Sequence, residues 1–165
     1  SDLSIDTTMG LTPAGGIPMA TRSGDLDPGV LLFLLRSEYK TVDELEHMLN
    51  SQSGWAAISG GSPNMQQLLA SRSKGDIQAK LGLDLYVTAI RKTIGAYAAL
   101  MGGIDLLVFT GGIGQNSEEI RNLVCTGLDF LSLSGKSNRN RVLALKTEEE
   151  RQIARICRRL SQQRR

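Results

Sequence analysis

A glycine-rich turn lies between a strand pattern and a helix pattern in the second half of the chain. Residues 104–109 read IDLLVF, residues 109–116 read FTGGIGQN, and residues 117–121 read SEEIR. Glycines at the end of a strand let a ligand approach the backbone closely. The third glycine of a dinucleotide fingerprint is missing, and so is the lysine of a P-loop. The spacing therefore leaves two interpretations open, a nucleotide site and a tight strand-to-helix turn.

A second candidate is the sequence TRSGDLDP at residues 21–28. The planar guanidinium group of Arg22 has the donor geometry to clamp a phosphoryl group. The same side chain can instead pair with Asp25 or Asp27 and hold the loop. The local sequence does not decide between these two roles.

A third candidate is the acidic sequence TEEE at residues 147–150. Acidic side chains are favoured at the start of a helix by its dipole. A carboxylate at this position can also bind Mg²⁺, usually through water. Both interpretations remain open at this point.

Local patterns predict the elements that must position these residues. Helices are expected from Asp27-Pro28, from the capping box at residues 41–44, from Ser62-Pro63, from Asp76 and from about Thr147. We expect Asn116 to cap a further helix that runs from Ser117 to about Thr126, with Glu119 reaching back. Within the helix that follows Asp76, Val87, Ile90, Ile94 and Tyr97 are three and four residues apart, which predicts a core-facing stripe. Strands are predicted at residues 3–9, 53–61 (a turn and a strand), 104–109, 130–133 and 142–145.

Composition limits the class of protein. The 165 residues carry a net charge of +2 and are 41% hydrophobic, which indicates a globular chain. No apolar run is long enough for a membrane span, and Cys125 and Cys157 lack metal-ligand spacing, so we expect a cytoplasmic protein. The arginines of residues 155–165 suit the negative end of a helix dipole. Without interleaved aromatic residues they do not predict nucleic-acid binding.

Five segments occur in a fixed order, at residues 6–13 (DTTMGLTP), 21–28 (TRSGDLDP), 53–60 (SGWAAISG), 109–117 (FTGGIGQNS) and 147–154 (TEEERQIA). In this order and spacing they resemble the acetate, propionate and butyrate kinase family of the actin-like ATPase superfamily. The resemblance implies an α/β fold, a C-terminal ribonuclease H-like/actin-like ATPase domain incomplete at its N-terminal side, helix-rich with a small mixed sheet. It implies a nucleotide-binding part at residues 1–146 and a final helix at residues 147–165 near the interdomain cleft.

The resemblance also implies roles for individual residues. By position, Arg22 stabilises the transferring phosphoryl group, Glu149 is associated with Mg²⁺, and Pro13 lines the substrate pocket. The family more often has Asp-Phe-Arg where this chain has Asn-Met-Gln, and glutamate where it has Gln115. The implied nucleotide-binding residues are Asn64, Met65, Gln66, Gly112, Ile113, Gly114, Gln115 and Asn116.

The activity implied by the resemblance is reversible phosphoryl transfer from ATP to acetate, giving ADP and acetyl phosphate, with Mg²⁺. The family's phosphate loop, second arginine, catalytic histidine and acid/base aspartate belong to an N-terminal half that these 165 residues lack. We therefore expect the chain alone to be inactive, and the parent protein to form a homodimer. The alternatives are a non-catalytic nucleotide-binding or dimerisation module, and a propionate or butyrate kinase fragment.

Overall fold

The computed structural model describes residues 3–39, 41–61, 63–131 and 142–163. The chain divides into two compact units, Ser1–Gly103 and Ile104–Arg165. The described residues form eight α-helices and a small sheet, which confirms the expected helix-rich α/β class. Within these residues no helix combines the length and apolarity needed to cross a membrane. The predicted division into residues 1–146 and 147–165 stays a prediction.

Helices make up the regular structure of the described residues of the first unit, and three of them start at predicted caps. Asp27 accepts a hydrogen bond from the Gly29 amide at 2.8 Å. Thr41 and Glu44 form the reciprocal capping box, and Asp76 accepts from two amides of the next turn. The bounds are α1 Pro28–Ser37, α2 Val42–Ser51, α3 Gly54–Ile58, α4 Met65–Ser73 and α5 Ile77–Met101.

The core of the first unit forms where α3 and α4 pack against α5. Trp55, Leu68 and Leu83 are among its most deeply buried side chains. A Cβ added at Gly82 of α5 would lie 3.0 Å from the Trp55 carbonyl oxygen, so glycine permits this close helix approach. The predicted stripe on α5 is only partly in the core. Val87 is buried, whereas Ile90, Ile94 and Tyr97 are half-buried.

Three predictions for the first unit are wrong. Residues 53–61 contain helix α3 and not a strand, because a helical turn buries both Trp55 and Ala56. Residues 3–9 form no strand, since no strand among the described residues pairs with them. Helix α4 begins at Met65 with Asn64 as its cap, two residues later than predicted, and Ser62 lies outside the described residues.

The second unit contains the glycine-rich segment. Strands β1 and β2 pair in parallel, with Leu107 opposite Val142 and Phe109 opposite Ala144. Buried side chains of Ile120, Val124 and Leu128 form its apolar core. The bounds are β1 Leu107–Phe109, α6 Gly111–Asn116, α7 Glu118–Cys125, a 3₁₀ turn Asp129–Leu131, β2 Val142–Ala144 and α8 Glu149–Gln163.

Three predictions for the second unit need correction. The glycine turn is itself a short helix, α6, and Asn116 is its last residue. Ser117, not Asn116, caps α7, because its hydroxyl accepts from the Ile120 amide at 3.3 Å. The strand predicted at residues 130–133 is wrong for 130–131, which belong to the 3₁₀ turn, and its remainder lies outside the described residues.

Candidate functional site

The loop that carries Arg22 is fixed by backbone hydrogen bonds on both sides of that residue. The Ser23 amide donates to the Leu49 carbonyl at 3.0 Å, and the Ser53 amide donates to the Thr21 carbonyl at 3.0 Å. The Trp55 amide also donates to the Met19 carbonyl at 3.1 Å. The ends of α2 and α3 therefore hold the loop, and the backbone of Arg22 is in place before any ligand binds.

The side chain of Arg22 makes no ion pair with the nearby aspartates. Asp25 accepts from the Gly16 amide at 2.6 Å, and Asp27 is occupied as the cap of α1. The guanidinium group is half-buried, and its contact within the described residues is Nη1 to the sulfur of Met19 at 3.6 Å. The interpretation that Arg22 pairs with Asp25 or Asp27 is wrong, and its charge remains available to an anion.

Gly54 packs directly against the backbone of this loop. It has φ +70°, and a Cβ at this position would lie 2.2 Å from the Met19 carbonyl oxygen. We expect Gly54→Ala to lower the free energy of unfolding by about 2 kcal/mol or more, from backbone strain and displacement of the loop. Urea unfolding followed by circular dichroism measures this change.

The matched control for Gly54→Ala is Gly95→Ala in α5. A Cβ at Gly95 meets no atom within 4 Å and its backbone is helical, so this variant should be stabilised by about 0.5–1 kcal/mol. Equal effects of the two substitutions would contradict the proposed close contact.

Two residues of the predicted adenosine segment, Asn64 and Met65, have structural roles in helix α4. The Asn64 side chain accepts from the amides of Gln66 and Gln67, so its oxygen serves as the cap of α4. Met65 is buried, whereas the side chain of Gln66 is exposed. Pro13 is exposed in a turn that also lies in the first unit. The ligand roles of all four residues stay predictions, and Asn64 and Gln66 are the exposed members of the adenosine set.

The glycines of α6 leave an open backbone surface. A Cβ at Gly112 would meet no atom within 4 Å, while one at Gly114 would lie 3.3 Å from the Phe109 Cβ. Gly114 therefore serves close packing on the strand, and Gly112 leaves space above the helix. Asn116 donates from Nδ2 to the Gly112 carbonyl at 2.9 Å. Gly112 and Asn116 are exposed, and Ile113, Gly114 and Gln115 are half-buried.

Glu149 lies at the start of α8, in a hollow formed by residues 146–151. Its neighbour Glu148 pairs with Arg151 at 2.7 Å, whereas the exposed Glu149 carboxylate has no ion pair among the described residues. The described residues contain no group of three or more metal-ligating side chains placed around one point. One free carboxylate fits Mg²⁺, which is commonly held by one or two carboxylates together with water and substrate phosphates.

Sequence reasoning missed a cavity of about 670 Å³ in the first unit. Its lining includes apolar side chains of α1, α2, α3 and α5, and none of the predicted site residues lines it. Burial raises the pKa of the Tyr86 phenol on this wall above its ordinary value. Trp55, also on the wall, has an indole N–H without an acceptor in the described part of the chain. Neither residue carried a sequence signal beyond its apolar character.

The predicted residues are divided between the two units. Pro13, Arg22 and the segment 64–66 belong to the first, and the segment 112–116 and Glu149 belong to the second. Each unit by itself thus presents part of the predicted set. The first unit presents Arg22 on a loop whose backbone is held by hydrogen bonds. The second presents the open backbone of Gly112 and the exposed Glu149 carboxylate, which has no ion pair among the described residues.

The chain is similar to known proteins over most of its length. Residues 2–155 match the model of the Acetokinase family. The acetate kinase of Treponema denticola is 42% identical over 152 residues, which are 92% of this chain and 38% of that protein. The propionate kinase of Escherichia fergusonii is 42% identical over 154 residues, with 93% and 38% covered. The chain therefore spans about two fifths of the length of the curated relatives it matches.

Solved structures agree with the sequence comparison. The crystal structure of Porphyromonas gingivalis acetate kinase superposes with a TM-score of 0.81 at 36% identity, covering 89% of this chain and 41% of that one. A propionate kinase from Francisella tularensis gives a TM-score of 0.80 at 33% identity, with 88% and 41% covered. These similarities confirm the expected actin-like α/β fold, of which the sheet described here has two parallel strands.

Proposed function

This chain belongs to the acetokinase family, and we propose that the protein containing it transfers a phosphoryl group between ATP and acetate. The observation that carries the proposal is 42% identity to an acetate kinase across 92% of the chain. In the forward direction an acetate oxygen forms a bond to the γ-phosphorus. The bond from that phosphorus to its bridging oxygen breaks, giving acetyl phosphate and ADP.

Arg22 is proposed to stabilise the phosphoryl group in flight. In phosphoryl transfer, charge is spread over three equatorial oxygens, so catalysis depends on positioning and electrostatic stabilisation. A guanidinium group provides a permanent charge and a planar set of donors for these oxygens. Its loop is already held at Thr21 and Ser23, so binding need not order the backbone there.

The nucleotide is proposed to lie on the segment 112–116, with a contribution from residues 64–66. The open space above Gly112 supports this proposal, because a ligand can reach the backbone there without displacing a side chain. Glu149 is the residue proposed to hold Mg²⁺. When bound, Mg²⁺ would neutralise phosphate charge.

Acetate is proposed as the carboxylate, with Pro13 against its methyl group. Propionate is the second candidate, since the relatives include propionate kinases of equal identity. We also propose that activity requires the N-terminal half of the family, and this is supported by the chain covering only 38% of a relative's length. A cytoplasmic location is part of the same proposal.

Homodimer formation is proposed through the first unit. Helix α1 exposes Val30, Leu32 and Phe33, whose relative exposures are 41%, 54% and 63%. Exposed apolar side chains clustered on one helix are typical of interaction surfaces. A non-catalytic nucleotide-binding or dimerisation module is the alternative function.

One set of measurements separates these functions. Calorimetry measures the binding of ATP with Mg²⁺ to the 165-residue chain, and sedimentation measures the mass of the chain in solution. Acetyl phosphate formation is assayed both on the chain and on the protein that its gene encodes. We expect saturable nucleotide binding by the chain, and acetyl phosphate only from the complete kinase. Binding without activity in either form, or dimerisation without binding, would favour the module. Acetyl phosphate formed by the chain alone would contradict the proposed need for the other half.

A further inference from the structure

The C-terminal end of α6 is held by a cation from the next helix. Nη1 of Arg121 donates to the carbonyl oxygens of Gly114 and Gln115, both at 2.9 Å. The last carbonyls of a helix have no donor within that helix. The two bonds therefore satisfy acceptors that α6 leaves open, and the half-buried position of Arg121 limits competition from water.

The location of Arg121 is unusual for the helix that contains it. It lies near the start of α7, where the helix dipole favours acidic side chains such as Glu118 and Glu119. A cation gains nothing from α7 at this point. Its location is instead explained by α6, whose negative C-terminal end it meets.

Helix α7 is a rigid support for this contact. Ile120 and Val124, on either side of Arg121 in the sequence, are almost completely buried. The segment that Arg121 holds contains Gly111, Gly112 and Gly114, and glycine has the largest backbone freedom to lose on ordering. A half-buried guanidinium group thus restrains a segment whose glycines have much backbone freedom to lose.

We propose that Arg121 is a positioning residue for the nucleotide, an inference that rests on the proposed nucleotide role of residues 112–116. By holding the carbonyls of Gly114 and Gln115, it keeps the glycine-rich helix in one conformation before the ligand arrives. Ordering a binding segment in advance lowers the entropic cost of association. Arg121 acts through the backbone of α6 and is not itself assigned a contact with the ligand.

The test compares Arg121→Met and Arg121→Lys with the unsubstituted chain. We expect Arg121→Met to weaken the calorimetric Kd for ATP with Mg²⁺ by about tenfold, because two charge-assisted hydrogen bonds are lost. Arg121→Lys keeps the charge and part of the donor capacity, so its loss should be about threefold. Hydrogen exchange of the Ser117 amide, which donates to the Ile113 carbonyl at 2.9 Å, should accelerate in both variants.

A control and a second readout separate positioning from general stability. Lys80→Met removes the cation of an exposed ion pair on α5 and should change neither the ATP affinity nor the Ser117 exchange. If the unsubstituted chain binds no nucleotide, the proposed nucleotide role of residues 112–116 fails and this inference fails with it. If that chain binds and Arg121→Met binds equally well, the inference alone is overturned, whatever the exchange rate shows. Should Arg121→Met not fold, Arg121→Lys decides: weaker affinity with faster exchange supports positioning, and unchanged affinity refutes it.

Discussion

Replacing Arg22 by alanine is expected to lower kcat for acetyl phosphate formation by about a thousandfold, in the range found for arginines that stabilise phosphoryl transfer. We expect this loss because no carboxylate of the loop pairs with the guanidinium group, whose charge can therefore act on the phosphoryl group. Asp25 accepts from Gly16 and Asp27 caps α1. The measurement is a hydroxylamine-trapping assay on the kinase that the gene encodes.

Stability should change little in the same variant. The half-buried Arg22 side chain contacts Met19 weakly, at 3.6 Å, and the loop is held through backbone atoms that alanine retains. We expect a change of about 1 kcal/mol or less in the free energy of unfolding. Activity and stability should therefore separate, which would not occur if Arg22 served only to hold the loop.

The control is Arg36→Ala, which removes an exposed cation from the last turn of α1. This variant should lower the free energy of unfolding by about 0.3–1 kcal/mol, the contribution of a cation to the helix dipole, and should leave kcat unchanged. Arg22→Lys tests geometry, since lysine keeps the charge but loses the planar set of donors. If Arg22→Ala lowers kcat by less than tenfold, Arg22 does not have the proposed role in the mechanism.

The starts of α1, α2 and α5 were predictable because their causes are local. Asp27, Thr41 and Asp76 each satisfy an amide two or three residues away, so type and spacing of neighbouring residues were sufficient. The same locality explains why Ser117 was placed at the start of α7. The choice between Asn116 and Ser117 as its cap depends on whether α6 exists, which no adjacent residue indicates.

Helix α3 was mispredicted because its conformation is decided by distant contacts. The segment around Trp55 is apolar between glycines, a pattern shared by buried strands and short buried helices. Its helical form depends on the approach of Gly82 and on the left-handed backbone of Gly54 against Met19. Both contacts join residues at least 27 positions apart, so local periodicity could not reveal them.

The identity of the candidate site residues followed from the order of motifs, but their surroundings did not. Asp25 was a reasonable partner for Arg22 from sequence, and only the fold shows that it serves the Gly16 amide, nine residues earlier. Arg121 carried no motif of its own. A basic residue four positions after a serine cap is a common surface pattern, and its bonds to Gly114 and Gln115 require the turn between α6 and α7.

The open surface of α6 allows the nucleotide assignment to be tested without damage to the fold. Gly112→Leu places a side chain where no atom of the protein lies within 4 Å of the new Cβ, on a residue in helical conformation. Leucine is the better helix former, so the free energy of unfolding should rise by about 0.5–1 kcal/mol. The same side chain fills the space proposed for the nucleotide, and the Kd for ATP should weaken by about a hundredfold or more, as expected when a bulky group excludes a ligand from its contact surface.

Gly95→Leu in α5 is the matched control, since it is the same substitution at another open helical glycine. It should give a similar gain in stability and leave the affinity for ATP unchanged. Ligand exclusion predicts that Gly112→Leu raises the free energy of unfolding and weakens ATP binding, whereas Gly95→Leu only raises the free energy of unfolding. Misfolding would instead lower the free energy of unfolding of Gly112→Leu. If calorimetry gives Gly112→Leu an affinity within about threefold of the unsubstituted chain, or about 0.7 kcal/mol, the glycine-rich segment does not line the nucleotide. The nucleotide would then have to be held by other parts of the chain.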